Sequence, residues 1–248
     1  MDRKSIFENI YENKKWGSKG TLSGEGTRPE AAKEYVQFVT TFLESHPEIK
    51  TILDLGHGDW QMWPKNYFDN YDYTGIDITP SVVERCNREY GNPHIKFIEA
   101  DFLEIELPQA DLLLIKDLLI HLSNEDIKKS LGKLGKFKYS IVVTDIESKG
   151  WRVFAGNIKR EFDKSRNIMN LIASPFRASN KHYLRNDIET GSYHWVELLD
   201  SKWALQTYDL SIIGNIEFSN RGLTPGRSTV KRIYLLGSNK SEIFKISK

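Results

Sequence analysis

The run Thr51–Trp60, TILDLGHGDW, constrains the fold more than any other part of the chain. Thr51-Ile52-Leu53-Asp54-Leu55 reads as a buried strand, and Gly56-His57-Gly58 reads as a turn directly after it. Glycine has no Cβ and tolerates positive φ, so the backbone of such a turn can pass close to a bound ligand. In open α/β sheets, ligands lie at the carboxyl ends of strands, beside turns of this kind.

Further strands follow at regular spacing. Tyr73–Ile78 carries Asp77, which lies 23 positions beyond Asp54 (77 − 54). An acid about 20 residues past a glycine turn is where a ribose hydroxyl is held. Ile95–Ala100 leads into Asp101-Phe102, Ala110–Ile115 into Lys116-Asp117, and Ser140–Thr144 into Asp145. Helical stretches fall at about 80–90 and 123–135, with a run leading on to 139, and a further helix is expected over Pro29–Ser45. This alternation predicts a mostly parallel sheet with helices on both faces. The acids at the strand ends would then share one rim.

A nicotinamide dinucleotide and S-adenosylmethionine both suit such a rim. The dinucleotide fingerprint wants a third glycine where this chain has Gln61. About fifty residues also precede the first strand, and Asp101-Phe102 suits adenine: the carboxylate accepts from the exocyclic amine while the ring packs on the base. These features favour S-adenosylmethionine.

Across Thr51–Ile146 the sequence resembles the class I S-adenosylmethionine-dependent methyltransferases. Asp54-Leu55-Gly56-His57-Gly58-Asp59 is similar to that family's first motif, Asp77 to its ribose-binding acid and Asp101 to its acid near adenine. Gly58-Asp59-Trp60-Gln61, Lys116–Leu122 and Asn186–Gly191 resemble a bacterial subgroup linked to modification of surface polysaccharides. The resemblance implies a Rossmann-like, mostly parallel seven-stranded sheet with an antiparallel last strand. It implies a cofactor site made of Asp54, Gly56, His57, Gly58, Asp77, Ile78, Asp101, Phe102 and Lys116. The family usually has Cys, Gly or Ala where this chain has His57, which is expected to hydrogen-bond near the methionine moiety.

The 248 residues are expected to form a single methyltransferase domain: a leader or lid at 1–28, a cofactor-binding core at 29–146, an acceptor-binding insertion at 147–202, and closing strands with a tail at 203–248. Glycines at 17, 20, 24 and 26 point to irregular structure in the leader. Arg28, just before the Pro29 helix, is placed to pair with the cofactor's carboxylate. The insertion is rich in aromatic and cationic residues. Trp151, Arg152, His182, Arg185 and His194 are its candidate acceptor-binding residues, and Trp16 of the leader joins them. Aromatic faces suit sugar rings, and Arg suits phosphate or carboxylate. Two last strands are expected near Trp203–Asp209 and Thr229–Leu236, with turns at Asn220-Arg221-Gly222 and Thr224-Pro225-Gly226.

A net charge of +1 predicts no strong pull toward nucleic acid. The chain also lacks, at the end of its fourth strand, the Asn/Asp-Pro-Pro-aromatic loop that resembles base-amine methyltransferases. One cysteine, Cys86, excludes an internal disulfide. The polar N-terminus and the lack of a long apolar run predict a cytoplasmic protein without a membrane span.

The expected reaction is O-methylation of a sugar or glycan-linked hydroxyl. His121 is the candidate general base and Asp117, four residues earlier, its orienting carboxylate if the stretch is helical. His182 and His194 are the alternative bases. A Mg²⁺ variant would use Asp117 and Asp145, although Ile146 stands where an amide ligand would be needed. The rival readings are a small-molecule or phosphate-ester methyltransferase, a non-catalytic cofactor-binding partner and, more distantly, a nicotinamide oxidoreductase.

Overall fold

The computed structural model describes residues 2–16, 20–122, 124–146, 171–174, 193–196, 210–221 and 228–238. The chain packs as two units, Met1–Lys116 with Asn220–Pro225, and Asp117–Ser219 with Gly226–Lys248. Among the described residues, no helix is long and apolar enough to cross a membrane.

In the first unit, the strands β1 (Thr51–Leu55), β2 (Asp72–Asp77), β3 (Ile95–Glu99) and β4 (Leu112–Lys116) are parallel, in the order β3-β2-β1-β4. β1 lies between β2 and β4, and Ile52, Leu53, Leu55 and Leu112–Ile115 are almost wholly buried. Such continuous apolar runs mark parallel strands covered on both sides. Asp111 ties β1 to β4 at their starts by accepting from the Lys50 and Thr51 amides, both at 2.9 Å. The register places Asp54 and the Gly56 turn beside the end of β2, where the Gly56 amide donates to the Ile76 carbonyl at 2.8 Å.

Three helices frame these strands. α1 (Arg3–Glu12) is capped by the Asp2 carboxylate, which accepts from the Ser5 amide, and it buries Ile6, Phe7, Ile10 and Tyr11. The leader was expected to be irregular. Its first half is instead this helix, whose apolar residues recur four apart on one face. α2 (Pro29–Ser45) starts with proline at its first turn and buries Tyr35, Val39, Phe42 and Leu43. α3 (Pro80–Tyr90) starts the same way, packs on β3 and buries Val82, Val83 and Cys86.

The crossover from β1 to β2, residues 56–71, contains no helix and is a chain of turns. A parallel crossover usually covers its sheet face with a helix. Here an aromatic cluster does so. The Trp60 ring meets Phe68, Tyr73, Tyr90 and Phe97 at centroid distances of 5.0–5.9 Å. Trp63 packs on Phe68 at 4.7 Å and on Tyr35 at 5.5 Å.

In the second unit, β5 (Tyr139–Ile146) pairs antiparallel with the last strand, β9 (Ser228–Ser238), and β8 (Leu210–Arg221) lies beyond β9. The expected antiparallel last strand is therefore present. Its neighbour β8, Leu210–Arg221, includes Asn220 and Arg221, which were expected in a turn, while the strand expected near 203–209 lies outside the described residues. α4 (Asn124–Leu134) ends before Lys136 and Phe137, which form turns rather than a further helix leading to Tyr139. The insertion contains two short paired strands, β6 (Leu171–Ser174) and β7 (Tyr193–Val196), and β7 packs against β5 and against the turn Leu119–His121.

The crossover cluster makes a test of this packing. Trp60→Ala is expected to cost about 3–5 kcal/mol, the usual range for emptying a buried aromatic site. Urea unfolding would measure it, and a loss under about 1 kcal/mol would show that the cluster does not carry the crossover.

Candidate active site

Four acids at or near the strand ends of the first unit have distinct partners. Asp77, at the end of β2, reaches back to the glycine turn: Oδ2 accepts from the Gly58 amide at 3.2 Å and Oδ1 from the Thr79 amide at 3.0 Å. Gly56 and Gly58 hold φ of 68° and 59°, in the left-handed region that glycine enters freely. Thr79 Oγ1, in the same turn as Asp77, is buried without a hydrogen-bond partner. Each Asp77 oxygen uses one of its lone pairs on a backbone amide, so capacity to accept from a ligand hydroxyl remains.

Asp54 lies inside β1 and is 2% exposed. Its Oδ2 accepts from the Tyr73 hydroxyl at 2.6 Å, and that hydroxyl accepts from Trp60 Nε1 at 2.9 Å. Burial raises the Asp54 carboxyl to about 7; the Tyr73 bond opposes the shift, the Asp77 charge adds to it and the Lys116 charge opposes it.

Asp59 follows the turn and is also buried. Its Oδ2 accepts from Thr21 Oγ1 at 2.8 Å, the Leu22 amide at 2.7 Å and the Ser23 amide at 3.2 Å. Ser23 Oγ accepts from the Asp59 amide at 2.7 Å and meets the Tyr11 hydroxyl at 2.9 Å. Lys116 Nζ, expected to serve the cofactor, donates to the Gly26 carbonyl at 2.9 Å. The leader is thus fastened over the glycine turn. A Cβ at Gly58 would stand 2.6 Å from Ser23 Oγ, so the close approach that Gly58 permits is made by the leader.

Asp101 also has a partner that the sequence did not announce. Arg3 of α1 donates from Nε and Nη2 to Asp101 Oδ2, at 2.9 and 2.7 Å, and the Leu103 amide donates to Oδ1 at 3.0 Å. Lys4 pairs with Glu99 beside it. Phe102 is buried next to Asp101, and Ile78 is half-buried. Arg28 is at the N-cap of α2, with Nη2 3.8 Å from Glu30. Trp16 packs edge-on against Phe7 and Tyr11, both at 5.9 Å, so its ring belongs to the leader's own packing.

His57 departs from expectation. Its backbone stays in the turn, but its ring enters the core, 4.7 Å from the Phe97 ring. Nδ1 lies 2.8 Å from the Gly58 carbonyl, which can only accept, so Nδ1 carries the proton. Burial pushes the imidazole below its ordinary value. Gly75 makes the space: a Cβ there would stand 2.8 Å from both His57 and Phe97. The imidazole therefore faces β2 and β3.

The second unit holds the candidate base. Asp117 has φ of 55°, and Leu119–His121 is a single 3-10 turn, so the α-helical spacing assumed for the Asp117–His121 pair is not formed. Lys231 of β9 donates from Nζ to Asp117 Oδ1 at 2.7 Å, and Lys231 is also the register partner of Asp145. These residues fit an ammonium at Asp117 and do not fit the Mg²⁺ variant, whose ion would have to share that carboxylate with the lysine. Trp151, Arg152, His182 and Arg185 lie outside the described residues, and His194 is placed by its backbone on β7. The sequence reading missed Arg3, the bonds of Asp59 to the leader, and Lys231. The first two depend on the leader's docking and the third on the β5–β9 register.

Residues 52–137 match the family model of a methyltransferase domain. That segment is similar to a methyltransferase domain. The fold of the chain is shared by the magnesium protoporphyrin IX methyltransferase of Synechocystis PCC 6803 with bound S-adenosylhomocysteine: TM-score 0.62 at 15% identity, over 95% of this chain and 97% of the other. An N-methyltransferase of Bradyrhizobium japonicum WM9, also with S-adenosylhomocysteine, gives 0.56 at 13% identity over 91% and 98%. The 1,6-didemethyltoxoflavin-N1-methyltransferase of Burkholderia thailandensis gives 0.57 at 13% identity over 95% and 86%. No curated protein matches the chain in sequence.

The Asp54 carboxyl predicts a pH dependence. Its folded value, about 7, is above the ordinary 3.8, so the folded state holds the proton more tightly. Its contribution to stability is complete below about pH 4 and falls as pH rises toward 7, by up to ~1.4 kcal/mol per pH unit. Asp54→Asn should flatten this slope in denaturant titrations at pH 4.5, 6 and 7.5. An unchanged slope would assign the titration to another group.

Proposed function

We propose that this methyltransferase domain binds S-adenosylmethionine through its first unit and methylates a hydroxyl of a sugar or glycan-linked acceptor. The observation that carries the cofactor assignment is the arrangement around the glycine turn. Asp77 is tied to Gly58 with accepting capacity left for ribose hydroxyls, and a buried carboxylate, Asp54, lies one strand away and stands to gain from a positive ligand. Asp101, oriented by Arg3, is the acid for the adenine amine, and Arg28 is the cation for the ligand's carboxylate. The His57 ring does not occupy the turn, because it packs beside Gly75 and Phe97.

The bound cofactor supplies an electrophilic methyl on a sulfonium. The chain's task is to hold the acceptor oxygen in line and remove its proton, and positioning of this kind can account for ~7–11 kcal/mol of a barrier in ideal cases. His121 is the proposed base. The acceptor assignment is supported by β7, whose Tyr193-His194-Trp195 run belongs to the aromatic and cationic insertion and packs on the turn that ends in His121. His194, on that strand, is the alternative base. The solved neighbours include methyltransferases named for a porphyrin and for didemethyltoxoflavin, so a planar small-molecule acceptor is the second reading.

The experiment is transfer of a labelled methyl from S-adenosylmethionine to a panel of free and nucleotide-linked sugars and planar phenols. Label fixed on a sugar oxygen, with His121→Ala lowering turnover by roughly 10²–10⁴-fold while leaving S-adenosylhomocysteine affinity unchanged, is the expected result. Label on the phenols alone would move the acceptor to the second reading. Full turnover by His121→Ala would exclude His121 as the base.

A further inference from the structure

The Lys231–Asp117 pair is built more carefully than a surface contact. The lysine side chain is 6% exposed and the aspartate side chain 19%, and they meet at 2.7 Å. A buried ammonium that lost its carboxylate would be strongly destabilised, so the two hold each other in place. The aspartate backbone lies in the left-handed region at φ 55°, which Asp enters more readily than most residues, and its amide donates to the Val143 carbonyl of β5 at 3.0 Å. The turn Leu119–His121 begins two residues later. On β5, Asp145 is the register partner of Lys231. A single ammonium thus comes from the strand position opposite one acid and ends on the carboxylate of the other.

We propose that Lys231 is a positioning residue of the acceptor side: its ammonium is a built-in cation that takes the place of a divalent metal at Asp117 and fixes the start of the turn carrying His121. This rests on the reading of the second unit as the acceptor side. A tethered cation differs from Mg²⁺ in needing no loading, and it leaves no open coordination position. Methyl transfer by this protein is then independent of added divalent ions, and Asp117 serves through Lys231 and the turn and not as a ligand. Lys231→Arg should preserve the charge, whereas Lys231→Ala should expose a carboxylate that attracts oxygen-seeking cations.

The test uses the full chain, Mn²⁺ alone as probe, and electron paramagnetic resonance to count free ion. Wild type and Lys231→Arg should show no Mn²⁺ binding that Asp117→Asn removes. Lys231→Ala should bind Mn²⁺ about tenfold more tightly or better, the scale of removing one adjacent positive charge, and Lys231→Ala with Asp117→Asn should lose that gain. Lys231→Gln is carried in parallel in case Lys231→Ala does not fold. Mn²⁺ binding by wild type that depends on Asp117, or no gain in either folded Lys231 variant, overturns the proposal. Titration of each variant with S-adenosylhomocysteine separates the two claims: wild type that fails to bind it contradicts the cofactor reading, whatever Mn²⁺ does.

Discussion

A carboxylate removed from water must be given donors, a cation or a proton. Asp54, Asp59 and Asp77 of the first unit are all buried. Each meets this requirement differently, and each solution organises a different part of the structure. Asp77 takes two backbone amides and so locks the glycine turn to the end of β2. Asp59 takes donors from Thr21, Leu22 and Ser23 and so fastens the leader. Asp54 takes a tyrosine hydroxyl in the aromatic crossover and retains an affinity for a proton near neutral pH, which a positively charged ligand would replace.

The leader is consequently bonded to the glycine turn and to the strand-end residues that the proposed function assigns to the cofactor. α1 places Arg3 on Asp101, Ser23 lies against Gly58, and Gly26 takes the Lys116 ammonium. These contacts fall on the residues that the first motif and the strand ends provide for a cofactor. Under the proposed cofactor assignment, the same acids that serve the fold in this structure would also serve the ligand.

Much of the first unit was legible from sequence because its signals are local. The strands β1 to β4 are apolar runs that stop at glycine or acid, and α2 and α3 each announce themselves by proline at the first turn. Ile6, Phe7, Ile10 and Tyr11 carried the helical spacing of α1, but the glycines at 17–26 dominated the reading of the leader. Other features were not local. His57 was read as a turn residue facing a ligand, because the place of its ring depends on Gly75, on the neighbouring strand. Lys231 is 114 positions from Asp117, and nothing short of the β5–β9 register brings them together. The i, i+4 argument for Asp117 and His121 failed because it assumed an α-helix where the chain makes a left-handed step and a single 3-10 turn.

The most direct test of the central claim is calorimetric titration of wild type and Asp77→Ala with S-adenosylhomocysteine and, separately, NAD⁺. The account predicts micromolar binding of S-adenosylhomocysteine, about −8 kcal/mol, no binding of NAD⁺, and marked weakening in Asp77→Ala. Binding of NAD⁺ in place of the adenosyl ligand, or an affinity for S-adenosylhomocysteine indifferent to Asp77, would contradict it.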